Sequence, residues 1–324
     1  MFVDLLCHYI YNTAMFKIGD LKLKSNLILA PMAGITDLPF RMLCRKFGCE
    51  LAFVEMINCR SISYKSLRTR QMLSTNSKDR PLGVQLLGCE SNFLLKSLEV
   101  LKNYHFDILD FNAACPAKKV VRRGEGASLL KEPKKLHQLL KLMVQNSSVP
   151  VTVKIRIGWD ENSINAREVA LFAQDAGVEA IFIHGRTKLQ GYSGQVDYET
   201  IRKVKEALEI PVIASGNIFS AQLIKTMLEQ TNCDAIAVAR GSLGNPWIFS
   251  GEKPGHQEII KVMIEHLNEN VKFYGERVGV VKFRKFIAWY TKGWRKVRQI
   301  REKSSRAKKK EEIISLIEDS RQVI

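Results

Sequence analysis

The sequence predicts an α/β protein: a (β/α)8 TIM barrel followed by an all-helical C-terminal domain. Three observations carry this expectation. Eight short, nearly continuous apolar runs recur up to residue 239, amphipathic stretches separate them, and each run releases polar or glycine residues at its C-terminal end. Runs apolar on both faces suit a parallel sheet buried on both sides. Eight βα units over roughly 230 residues match such a barrel in count and length. A doubly wound sheet also alternates strands and helices, but rarely uses eight units without a switch-point fingerprint.

In chain order, the segment 16–26 alternates around Gly19-Asp20 and reads as a hairpin plugging the far end of the barrel. Strands follow at 27–30, 51–54, 83–87, 108–111, 151–155, 180–184, 212–214 and 235–239. Amphipathic helices are expected over 136–144, 165–176, 198–207 and 221–230. Beyond Gly251 the alternation stops. Helices are expected over 256–274 and 278–324, with Phe283, Phe286, Ile287 and Tyr290 spaced for one apolar face. The organisation is therefore an N-terminal extension (1–15), a catalytic barrel (16–250) and a basic helical domain (251–324).

The charge is uneven. Of a net +17, the stretch Arg277 to Lys310 holds fourteen basic residues against Glu302 alone. Such clustering implies a polyanionic partner. No apolar stretch of about 20 residues is present, so no membrane span is expected. The opening segment lacks a basic n-region and a small-residue cleavage site, and does not read as a signal peptide. Met15 marks a possible alternative start. Seven scattered cysteines without a C-x-x-C pair argue against disulfides and for a reducing cytoplasm. The six histidines show no metal spacing, so no metal site is expected. The chain is taken as a monomer.

The strand ends hold the candidate site. Cys115 follows the fourth strand through a Cys-Pro exit into a loop carrying Lys118, Lys119, Arg122 and Arg123. A free cysteine is usually a small buried hydrophobe; before a basic loop it also reads as a proton source acting on something anionic. Lys154 sits within the fifth apolar run, either as half of a structural ion pair or beside a flavin, whose reduced, anionic ring it would stabilise. Gln85 is placed to hydrogen-bond the same ring, and Pro31-Met32-Ala33 to pass backbone beneath it. His184 with Arg186 reads as a holder of ring or substrate carbonyls, against the plainer reading of a satisfied core histidine. The turns Ser215-Gly216-Asn217 and Arg240-Gly241 follow strands seven and eight, where barrels commonly bind phosphate. Arg240 would add a charge-assisted contact.

Seven ordered motifs turn these readings into a resemblance: LAPMAGITDLPFR (29–41), GVQLLG (83–88), NAACPAKKVVRRGEGASLL (112–130), VTVKIRIGWD (151–160), HGRTKLQGYSG (184–194), PVIASGNI (211–218) and ARGSLGNPWIF (239–249). In register, they resemble the tRNA-dihydrouridine synthase family, nearest its bacterial B-type and archaeal members, and WYTKG (289–293) extends the likeness into the helical region. The resemblance implies FMN in the barrel, NADPH as its reductant, and reduction of uridine to 5,6-dihydrouridine in tRNA. It implies hydride transfer from reduced FMN to uracil C6 and a proton from Cys115 to C5. By position, Pro31, Met32, Ala33, Gln85, Lys154, His184, Ser215, Gly216, Asn217, Arg240 and Gly241 would hold FMN. Asn112, Arg156 and Arg186 would address the uracil, and the basic loop and tail would grip phosphates.

Two positions depart from the family pattern: Ala114 replaces a glycine before Cys-Pro, and Ser215-Gly216-Asn217 replaces Asn-Gly-Asp. Two other functions remain open on the residues alone. One is a flavin enzyme acting on a free pyrimidine, such as a dihydroorotate dehydrogenase, which would have no use for a strongly basic tail. The other is a non-catalytic RNA-binding barrel, which would be colourless when purified.

Overall fold

The computed structural model describes residues 15–64, 66–294 and 297–319, so the expected N-terminal extension, Met15 aside, lies outside the described residues. The chain enters through an antiparallel hairpin, β1 (Phe16–Ile18) and β2 (Leu21–Leu23), turned by Gly19 at φ 55°. The next strands are β3 (Leu27–Leu29), β4 (Leu51–Phe53), β5 (Ile57–Asn58), β6 (Leu82–Leu87) and β7 (Ile108–Asn112). Then come β8 (Val151–Arg156), β9 (Ala180–His184), β10 (Val212–Ser215) and β11 (Ala235–Val238). From β3 to β11 all pairings are parallel, and β11 pairs back onto β3 to close the barrel. The second expected strand, 51–54, is β4, and β5 is an additional two-residue strand beyond it. β4 pairs with β6 at Leu82 and Gly83, β5 with β6 at Leu86 and Leu87, and residues 54–56 interrupt the line between them.

Alternation along each strand decides what the interior contains. On β7, Leu109 and Phe111 pack outward in the layer beneath the helices, so Ile108, Asp110 and Asn112 turn inward. The same count turns Thr152, Lys154 and Arg156 inward on β8, and Ala180, Phe182 and His184 inward on β9. The lower interior is apolar: Phe16, Ile18 and Leu23 of the hairpin pack with Ile28, Leu51, Phe53, Ile108, Phe182 and Ile213. The hairpin thus plugs the barrel, as its pattern predicts. Phe53 meets Phe182 edge-on at 5.6 Å, and a Cβ at Gly83 would lie 2.2 Å from the Phe53 ring. The upper interior is polar.

After the turn Pro246–Phe249 the chain becomes helical, with helices His256–Tyr274, Glu276–Tyr290, Val297–Arg306 and Lys310–Asp319. The first matches its expected bounds. The expected 278–324 element is instead broken into separate helices: Gly293 adopts φ 88° after Tyr290, and Glu311 and Glu312 open a fresh first turn where acidic side chains favour a start. Phe283, Phe286, Ile287 and Tyr290 are all buried. Phe286 stacks on Phe40 of the barrel helix Leu38–Lys46 at 5.4 Å.

Several basic residues of this region serve the fold. Arg284 donates to the Ala307 carbonyl at 3.0 Å and Arg301 to the Ala288 carbonyl at 2.8 Å. Lys282 lies 4.2 Å from the centre of the Tyr274 ring, and Lys285 donates to the Gly34 carbonyl. The Gly34 N–H in turn donates to the Glu55 carboxylate. Barrel and helical domain are therefore joined by polar contacts as well as by the Phe40–Phe286 stack.

Candidate active site

A cavity of about 350 Å³ opens at the C-terminal ends of the barrel strands. Its wall includes Pro31, Met32, Ala33, Gln85, Asn112, Cys115, Lys154, Arg156, His184, Ser215, Gly216, Asn217, Arg240 and Gly241. Those residues were expected at seven separate strand ends, and the fold brings them together. Arg186 is not on this wall. Its guanidinium donates to the Gly194 carbonyl at 2.7 Å and lies 3.5 Å from His184 Nε2, so it braces the loop 185–194. Lys118, Lys119, Arg122 and Arg123 are exposed on and just after the short helix Lys118–Val121. Arg123 is committed to the buried Glu125 at 2.6 Å.

Asp110 is the residue that sequence reasoning missed. Buried inside the barrel, it accepts from Gln85 Nε2 at 2.7 Å and from the Thr152 hydroxyl at 2.7 Å. Gln85 Oε1 accepts from Asn112 Nδ2 at 2.8 Å, and Asn112 Oδ1 accepts the N–H groups of Ala114 at 3.0 Å and Cys115 at 2.8 Å. Arg156 holds the other side of this turn, donating to the Ala114 carbonyl at 2.7 Å and to the Thr187 and Gly191 carbonyls. Ala114 stays outside the left-handed region, so a residue with a Cβ is tolerated there. The signal for Asp110 was present: a lone acid within the apolar run ILDF.

Charge in the cavity is governed by burial. Desolvation pushes the Cys115 thiol up, against weaker pulls from the Ala117 backbone, Arg156 and Arg123. It raises Asp110 to about 6 and lowers Lys154 to about 8. Burial, aided by Arg156, Lys154, Arg186 and Arg240, holds His184 well below its usual value, so its imidazole is neutral. Lys154 Nζ donates to Ser215 Oγ at 3.1 Å, and Ser215 Oγ donates to the Ile183 carbonyl at 3.0 Å. The serine that departs from the family pattern is thus the lysine's partner.

At the rim, the Arg240 guanidinium lies 4.8 Å from the Tyr192 ring and 5.7 Å from that of Phe219, both exposed. The turns after β10 and β11 interlock: a Cβ at Gly241 would lie 1.7 Å from the Ile218 carbonyl oxygen. Asn217 adopts φ 52°, and the Gly216 and Asn217 amides have no partner among the described residues. Also among the described residues, no group of three or more His, Cys, Asp or Glu gathers as a metal site.

Comparison with known proteins accords with this geometry. The dihydrouridine synthase family model matches residues 28–323. The chain is 40% identical over 288 residues to tRNA-dihydrouridine synthase B of Pasteurella multocida, covering 86% of this chain and 87% of that protein. It is 38% identical to tRNA-dihydrouridine synthase B of Pseudomonas aeruginosa, with 86% and 87% covered. Among solved structures, histamine dehydrogenase from a Rhizobium species superposes with a TM-score of 0.60 at 13% identity, over 86% of this chain and 51% of that one, a likeness of fold alone. A match across nearly the whole chain, together with relatives of this identity and coverage, establishes that the chain belongs to the dihydrouridine synthase family of flavin-dependent oxidoreductases.

Proposed function

We propose that this protein, a cytoplasmic monomer, reduces uridine to 5,6-dihydrouridine in tRNA with FMN seated in the cavity and NADPH as the electron source. The observation that carries the reading is the half-buried Cys115 thiol on the wall of the cavity that also gathers Lys154, Gln85 and the two interlocked turns.

The residues fit FMN. The cavity volume lies in the small-molecule range of about 300–1,000 Å³. The free amides of Gly216 and Asn217, with Arg240 alongside, suit a phosphate. Lys154 keeps two of its three N–H donors after Ser215 and, with Gln85, would hold the polar edge of the ring. The backbone of Pro31 to Ala33 would floor it, and neutral His184 offers a hydrogen bond without added charge. When bound and reduced by NADPH, the flavin supplies a hydride to uracil C6.

Cys115 donates the proton at C5. A general acid must hold its proton until it acts. Burial raises the thiol further above neutrality, so Cys115 stays protonated at physiological pH. A uridine within folded tRNA reaches a barrel mouth only when splayed out of its stack. Exposed Lys118, Lys119 and Arg122 then meet phosphates beside the thiol, and the basic helices of the C-terminal domain hold the rest of the RNA.

The test uses purified protein with NADPH and unmodified tRNA. The protein is expected to be yellow, absorbing near ~450 nm, and to convert uridine in tRNA to a product heavier by two hydrogens. A colourless protein that binds no FMN, or turnover of free pyrimidines in place of tRNA, overturns the reading.

A further inference from the structure

Asp110, Gln85 and Asn112 form a hydrogen-bonded chain whose direction is forced from both ends. At one end the carboxylate of Asp110 only accepts, so Gln85 must present its NH2 there, at 2.7 Å. Gln85 therefore turns its carbonyl oxygen toward Asn112, which donates to it at 2.8 Å. That leaves Asn112 Oδ1 facing the loop. At the other end, the backbone N–H groups of Ala114 and Cys115 only donate, and they meet that oxygen at 3.0 and 2.8 Å. The two constraints agree. Reversing any one amide would set donor against donor or acceptor against acceptor.

Water does not repair such a fault here. Asp110 is 2% exposed, Gln85 1% and Asn112 6%. A buried polar group left unpaired costs the full loss of its hydration. Asp110 itself also carries a cost, since burial raises its carboxyl to about 6. The neighbouring interior positions Ile108 and Phe182 are apolar, so a leucine at 110 would fill the same space without that cost. What leucine lacks is the acceptor.

We propose that Asp110 is a positioning residue which, through Gln85 and Asn112, fixes the backbone at Cys115 and so sets where the thiol stands in the cavity. The catalytic consequence rests on the reading of Cys115 as proton donor; the placement does not. The chain also passes through Gln85, so one buried acceptor orients both a flavin-facing amide and the loop that bears the thiol.

The experiment compares full-length holoenzymes carrying Asp110→Leu, Asp110→Asn and Thr152→Val. Alkylation of Cys115 is timed by mass spectrometry of its peptide, alongside kcat and KM for tRNA. In Asp110→Leu the thiol is expected to alkylate about threefold faster or more, and kcat to fall about tenfold to a hundredfold at unchanged KM. Asp110→Asn restores both, because its Oδ1 still accepts from Gln85 while its NH2 donates to the Thr152 hydroxyl. Thr152→Val leaves both near wild type. Should Asp110→Leu fail to fold, Gln85→Met breaks the chain at its middle, and its FMN-free protein must alkylate faster than FMN-free wild type. Alkylation at the wild-type rate in the folded variant, or failure of Asn to restore it, overturns the proposal. Faster alkylation with undiminished uridine reduction upholds the placement and removes Cys115 as the proton donor.

Discussion

Tyr274 and Asp37 share a 2.9 Å hydrogen bond across the seam between the helical domain and the barrel. Asp37 also caps the helix Leu38–Lys46 by accepting the Phe40 N–H at 3.1 Å, and burial holds its carboxyl above the usual range. Removing the Tyr274 hydroxyl leaves a buried carboxyl one donor short. Tyr274→Phe is expected to lose about 1–2 kcal/mol of stability in urea unfolding. Flavin content should not change, because Asp37 is not on the cavity wall.

Cys115→Ala is expected to keep its flavin and its oxidation of NADPH while reduction of tRNA uridine falls about a hundredfold or more. In the wild type the rate should decline as pH rises through the thiol's raised pKa, since a thiolate has no proton to give. Stopped-flow traces with reduced enzyme separate the two half-reactions, and unimpaired uridine reduction in the variant would refute the assignment.

With FMN held by Lys154 as proposed, cofactor binding would be linked to pH. Its folded pKa of about 8 lies below the ordinary 10.5, with desolvation the leading cause. Below pH 8 the group is charged in both folded and unfolded states, and its burial penalty is complete. Between 8 and 10.5 only the unfolded chain keeps the proton, so this group's contribution to stability rises with pH. Lys154→Met should therefore stabilise the FMN-free protein at pH 7, by an amount that shrinks above pH 8. The same variant should bind FMN about tenfold more weakly at pH 7. A stability gain that is flat from pH 7 to pH 10 would contradict this account.

At Gly241 even one methyl group is too much. Its Cβ would meet the Ile218 carbonyl oxygen, which is backbone and has no rotamer to escape into. Gly241→Ala is expected to cost about 4 kcal/mol or more and to displace the turn that would hold the phosphate. Equilibrium dialysis against FMN and thermal unfolding check both effects on one preparation.

The basic loop divides into two kinds of cation. Lys118, Lys119 and Arg122 are exposed without an acidic partner among the described residues, whereas Arg123 is paired with Glu125, which also accepts from Asn58 at 2.9 Å. Alanine at any of the first three should flatten the plot of log tRNA affinity against log salt by about 0.7–0.9 per site. Arg123→Ala should leave that slope nearly unchanged and slow turnover, since it frees the loop that carries Cys115. Equal slopes for all four variants would sink the distinction.

The barrel was legible because its strands are apolar on both faces, which left 212–215 and 235–238 little else to be. The helix His256–Tyr274 declared itself through a clean apolar face between two glycines. β5 was not legible, since two residues give no period to read. Within the site, cavity residues at strand ends could be picked out because polar side chains stand against apolar runs. Asp110 escaped notice because a strand's interior count starts only once its register is known, and register is a property of pairing across the barrel. The destinations of Arg123 and Arg186 depend on loop closure, which spacing along the chain does not encode.

Gly34 is gripped on its amide by Glu55 and on its carbonyl by Lys285, and the adjoining Pro31 to Ala33 line the cavity. The two halves of this chain are consequently not interchangeable modules. A chimera that grafts a relative's helical region onto this barrel to redirect it to another RNA must transplant the clasp at Gly34 as a unit, both charges included. Otherwise the graft is expected to loosen the Pro31–Ala33 wall of the cavity before any change of RNA preference is seen.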